Sequence, residues 1–111
     1  MDETATDLLE VEVTCPDETS ALAIARACVG ERLAACAGVG GSVRSLYRWE
    51  GAIQDEPETV LRLKTTRACF DALSRRITAL HPYEVPAILA FPVTAANAAF
   101  ADWLRTETAG R

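Results

Sequence analysis

Apolar and polar residues alternate at the start of the ordered pattern: Leu9, Val11 and Val13 are separated by Glu10 and Glu12. That period of two predicts a half-buried strand over residues 8–14. Pro16–Asp17–Glu18 then opens a helix. Asp17 suits the N-cap, and Glu18 suits the first turn, where the macrodipole favours anions. Leu22, Ala25, Cys28, Val29 and Leu33 recur at helical steps and predict the buried stripe. The run 34–38 is all small residues, and Gly40–Gly41 permits a bulge. From Ser42 the alternation returns, with Val43, Ser45, Tyr47 and Trp49 on one face and Arg44, Leu46 and Arg48 on the other. An acidic connection over 51–57 leads to Glu58–Thr65, and the two runs read as a long β-hairpin. Phe70, Leu73, Ile77 and Leu80 mark a second helix over 67–80, ended by His81–Pro82. Residues 85–93 are almost wholly apolar and predict a strand buried on both faces. Thr94 or Asn97 caps a third helix carrying Phe100, Trp103 and Leu104.

The order is βαββαβ plus a C-terminal helix. It predicts an α+β fold, a ferredoxin-like sandwich with a long hairpin. Two helices would cover one sheet face and leave the other open. Leu46, Tyr47, Trp49, Leu61 and Leu63 then exceed what one copy can cover, and self-association follows. With 111 residues the expectation is one domain over 8–106, with frayed ends at 1–7 and 107–111.

Half the residues are hydrophobic and 24% are charged, which is globular usage. The net charge of −5 argues against nucleic-acid binding, which needs phosphate neutralisation. The stretch 44–76 is mildly basic, with seven basic against five acidic residues. No segment has the length of a membrane span, and the acidic start does not read as a signal peptide. A cytoplasmic location follows as the expectation. The four cysteines (Cys15, Cys28, Cys36, Cys69) are widely spaced and signal neither a zinc site nor a disulfide framework. No G-x-S-x-G, H-E-x-x-H, P-loop or dinucleotide fingerprint occurs, and the single histidine, His81, would have to serve any nucleophile–base pair. The chain therefore reads as a non-enzyme.

Several motifs stand in fixed order: Thr14–Cys15–Pro16–Asp17; Glu31–Arg32–Leu33–Ala34–Ala35–Cys36–Ala37; Ser45–x–Tyr47–x–Trp49–Glu50–Gly51; Glu58 with Leu63–Lys64–Thr65; Leu80–His81–Pro82–Tyr83–Glu84–Val85–Pro86; and Trp103–Leu104. In these the chain resembles the CutA family of divalent-cation tolerance proteins, over residues 11–104. The resemblance implies a tight homotrimer built like those of the PII signalling proteins. It also implies a link to copper and other divalent cations, with no cofactor required for folding. A copper site proposed for bacterial members maps onto Val13, Leu80 and Ala87, none of which is a ligand. The metal-ligating candidates that remain are His81, Cys15 and Cys36, since copper takes imidazole or thiolate. A second candidate site is an inter-subunit cleft of Tyr47, Trp49, Glu58, Lys64, Tyr83 and Glu84. There Lys64 and Glu58 share a strand face; in a trimer they would meet a neighbour's Tyr83. Lys64 would bind a small anionic ligand, as in a PII-like regulator, or pair with a carboxylate to fix the register between copies.

Overall fold

The structure is a computed structural model and describes residues 7–108. The first strand, β1 (Leu8–Cys15), carries the expected alternation, with Val11, Val13 and Cys15 fully buried. The first helix, α1 (Glu18–Gly30), starts as the sequence requires: the Asp17 carboxylate accepts the Ser20 N–H at 2.7 Å. Its buried stripe is Ala21, Ile24, Ala25 and Cys28. Leu22 is only half-buried and Val29 is exposed, so the packing face is rotated from the one expected. Three of the four buried residues on that face are small, with Ile24 the large one.

Helix α1 ends in a Schellman arrangement. The Arg32 N–H donates to the Val29 carbonyl and the Leu33 N–H to the Cys28 carbonyl. The left-handed position is held by Arg32, at φ 62°, rather than by a glycine. Its side chain explains the choice. Nε and Nη2 donate to the carbonyls of Glu107 and Thr106, at 2.9 and 2.7 Å. Arg32 thus caps the C-terminus of the third helix, where free carbonyls and the dipole favour a cation.

Strands β2 (Cys36–Trp49) and β3 (Ala52–Thr66) form the hairpin. The register shifts between Val39 and Ser42, at Gly40–Gly41, so the expected bulge is present. The connection differs from the acidic loop over 51–57. Only Glu50 and Gly51 form the turn, both at positive φ (50° and 80°), between the paired Trp49 and Ala52. This is the two-residue turn whose twist suits a hairpin. Pro57 therefore sits inside β3, opposite Arg44, in the part that β1 does not flank.

Helix α2 (Arg67–Leu80) matches the expected span and buries Cys69, Leu73 and Ile77. Strand β4 runs only over Ile88–Pro92 and is largely exposed. The expected strand buried on both faces is not formed, because β4 is an edge strand paired with β1 alone. Helix α3 (Ala98–Thr108) follows Asn97, whose carbonyl accepts the Ala101 N–H. It continues past Thr106, and Thr108 is buried, so residues 107 and 108 are helical rather than frayed. The expected fraying at 1–6 and 109–111 lies outside the described residues. Asp7 is held by Arg105 at 2.9 Å.

The four strands make one antiparallel sheet in the order β2-β3-β1-β4. Val11, Val13, Cys15, Leu61 and Leu63 pack under α1 and α2. Of the five apolar residues expected to exceed one copy's cover, Leu61 and Leu63 are covered within the chain, since both helices reach over that half of β3. Helix α3 packs with Leu8 and Ala35 in a separate apolar cluster, so it closes one end of the second face, which was expected to stay open. The distal hairpin remains uncovered. Leu46 and Ile53 are 66% and 65% exposed on one face; Tyr47 and Trp49 lie exposed on the other.

Candidate functional site

The site is built by the segment that leaves α2 and by the hairpin face it meets. His81 ends the helix and is buried. Its Nε2 lies 2.9 Å from the Thr14 carbonyl, and its Nδ1 lies 3.1 Å from the Tyr83 N–H. A carbonyl only accepts and an amide N–H only donates, so Nε2 carries the proton and Nδ1 is bare. The imidazole thus ties β1 to the backbone of Tyr83. The two rings touch, with centroids 4.8 Å apart. Pro82 stiffens the link between them.

Fixed in this way, Tyr83 reaches the sheet. Its hydroxyl donates to Glu58 Oε2 at 2.6 Å. Glu58 is only 6% exposed. Burial, the hydrogen bond to Glu58 and that carboxylate's charge push the Tyr83 phenol well above its ordinary pKa. This pair was expected between neighbouring copies; the structure forms it within one chain. On the same strand face lie Tyr47, Glu56 and Glu58, and desolvation with the charges of the two carboxylates raises the Tyr47 pKa. Tyr47, Trp49, Pro82, Tyr83, Glu84 and Val85 together line a cavity of about 300 Å³.

The candidates do not all converge. Tyr47, Trp49, Tyr83 and Glu84 line the cavity, and Glu58 sits behind Tyr83. Lys64 does not join them. It lies six residues along β3 from Glu58, roughly 20 Å at strand rise, and its Nζ is 3.5 Å from Glu10. Among the described residues, none of those lining the cavity is basic. Among the metal candidates, Cys15 and His81 are neighbours, since His81 bonds the carbonyl preceding Cys15. Cys36 pairs with Lys64 in the sheet, at the other end of β3. The Cys15 thiol is fully buried, and burial, then the charges of Glu58 and Asp17, push it up to about 11. A metal needs the thiolate, and His81 has both nitrogens engaged, so neither group fits a metal as it stands. Among the described residues of one chain, no three His, Cys, Asp or Glu side chains gather around a common point. Cys36 is half-buried and is the most accessible of the four thiols.

Sequence reasoning missed Pro82 and Val85 as walls of the cleft. Val85 was assigned to a buried strand, so its place on the cavity wall was hidden.

Comparison with known proteins places the chain. A family model described as CutA1 divalent ion tolerance protein matches residues 9–107. The divalent-cation tolerance protein CutA of Thermus thermophilus is 45% identical over 98 residues, which are 88% of this chain and 95% of that protein. Human protein CutA is 40% identical over 86% of this chain; the match spans about half, 54%, of the human sequence. Among solved structures, the Thermus protein superposes with a TM-score of 0.88 at 44% identity, covering 91% of this chain and 98% of that one. CutA from Synechococcus elongatus gives 0.89 at 38% identity, covering 96% and 94%. Those structures share the antiparallel sheet of four strands and the three helices found here. The chain belongs to the CutA1 family of divalent ion tolerance proteins.

Proposed function

We propose that the chain is a cytoplasmic, ferredoxin-like homotrimer of the CutA type that contributes to copper and other divalent-cation tolerance and catalyses no reaction of its own. The observation that carries the assembly is the uncovered hairpin, with Leu46 and Ile53 each about two-thirds exposed. Burying a large apolar side chain gains about 1.5–3 kcal/mol, so covering these with Tyr47 and Trp49 in other copies gives a strong drive. The element order and the strand order support the ferredoxin-like description. No helix is long and apolar enough to cross a membrane among the described residues. The tolerance role rests on the match to family and relatives over nearly the whole chain.

Ion binding, in this reading, is weak and uses thiols from separate copies. Cys36 is the residue for it, since it sits on an edge strand and is partly accessible. Calorimetric titration of the tag-free protein with copper tests this. Binding that is lost in Cys36→Ser and kept in His81→Ala supports it. A flat titration overturns direct binding. The anionic-ligand reading is not favoured, because the cleft wall carries Glu84 and, among the described residues, no cation, while Lys64 pairs with Glu10.

A further inference from the structure

We infer that the two faces of the distal hairpin fit each other, so that one copy lays its Leu46 face on the Tyr47 face of the next and puts its Arg48 into that copy's acidic cleft. This rests on the three-copy reading proposed above and adds which surfaces meet and which residue each copy lends to its neighbour. Residues paired across a hairpin share a face. Glu56 and Glu58, the partners of Ser45 and Val43, therefore lie on the face of Tyr47 and Trp49. Asp55 and Ile53, the partners of Leu46 and Arg48, lie on the other face with Arg44.

The first face is aromatic and acidic. Glu58 is 6% exposed, accepts the Tyr83 hydroxyl and has no cation paired with it among the described residues. A buried carboxylate without a counter-charge is costly. Glu84 adds a further carboxylate to the cleft wall. Arg62 and Lys64, further along β3, are engaged by Glu12 and Glu10 and do not offset this charge. The second face is apolar and basic. Leu46 and Ile53 are about two-thirds exposed. Arg44 is held by Asp55 at 2.7 Å, whereas Arg48 is exposed and has no carboxylate partner among the described residues. A guanidinium stacks on Tyr and Trp rings and pairs with carboxylates. One face thus offers rings and carboxylates and lacks a cation, and the other carries the spare cation.

Like faces do not meet these demands. The Tyr47 face against its own kind would set Glu56, Glu58 and Glu84 against the same three charges. The Leu46 face against its own kind would leave Tyr47 and Trp49 uncovered and Glu58 without a counter-charge. Unlike faces cover both apolar surfaces and match charge of opposite sign. Such a contact is head-to-tail, and a head-to-tail contact that closes makes a ring, as three copies require.

The test is sedimentation equilibrium over a dilution series with the parent, Arg48→Glu, Glu84→Arg and the double variant, both positions being exposed within one chain. Each single change is expected to raise the concentration at which the trimer dissociates about tenfold or more, and the double variant to return within about threefold of the parent, as a close charge pair between partners would. If the parent does not dissociate on dilution, the same series at a fixed urea concentration reads the shift. If a charge reversal disturbs folding by circular dichroism, Arg48→Gln, Glu84→Gln and their double variant decide, and losses that simply add overturn the pairing. A trimer indifferent to both single changes, or a double variant no better than the singles, overturns the inference and leaves the three-copy reading standing. A monomeric parent overturns both.

Discussion

Tyr83→Phe removes one oxygen from the junction that holds the cleft together. In the native chain that hydroxyl donates to a nine-tenths buried carboxylate over 2.6 Å. Hydrogen bonds to charged groups contribute about 1.5–3 kcal/mol. The substitution also leaves Glu58 buried without its donor, which puts the loss at the upper end, about 2–3 kcal/mol. Urea denaturation at one fixed protomer concentration reads this as a lower midpoint with an unchanged slope. Glu58→Gln keeps an acceptor on the residue and is expected to cost less, about 1 kcal/mol. The double variant should then cost clearly less than the two singles together, with a coupling of about 1–2 kcal/mol. A Tyr83→Phe protein within about 0.5 kcal/mol of the parent, a value typical of neutral surface changes, would refute the assignment. So would a double variant whose losses simply add.

Other consequences follow from the same geometry. Arg32→Ala removes the cap on α3 and is expected to cost about 1–3 kcal/mol, two charged hydrogen bonds offset by exposure; hydrogen exchange should show the loss first in the last turn of α3. Arg32→Gly relaxes the left-handed backbone but loses the same cap, so it should not restore that protection. Cys15 and Cys28 are both pushed up to about 11, chiefly by burial. Between about pH 9 and 11 the folded state therefore holds protons that the unfolded state has released, and stability falls as pH rises across that window. Urea midpoints from about pH 8 to 11 should drop less steeply in Cys15→Ala and Cys28→Ala than in the parent. In the native protein at neutral pH, an exposed-thiol reagent should modify Cys36 and spare the three buried cysteines.

Much of the fold was legible because its signals were local. The alternation in β1, the Asp17 cap and the His81–Pro82 stop each act within a few residues. The failures came where the deciding partner is remote. Residues 85–93 look like a doubly buried strand, yet their exposure depends on lying at a sheet edge, which one run of sequence does not encode. The rotation of α1 puts small residues such as Ala21 on the packing face, and these give only a weak periodic signal. Arg32 gives no local sign of its capping role, because the carbonyls it meets lie on α3, 74 and 75 residues away. The Glu50–Gly51 turn was readable in principle, but the acidic residues beyond it resembled a loop. In the cleft, Tyr47 and Trp49 were found from their shared face. Their meeting with Tyr83 within one chain needed the His81 tether, which spans 67 residues of sequence.

The central claim is that one copy leaves its hairpin uncovered and that three copies cover it. Sedimentation equilibrium of the purified protein at micromolar concentration tests this most directly. The account predicts a single species of three times 12.0 kDa, about 36 kDa, which dissociates or unfolds when Trp49 or Leu46 is replaced by Asp. A stable, folded species of 12.0 kDa at that concentration would contradict it.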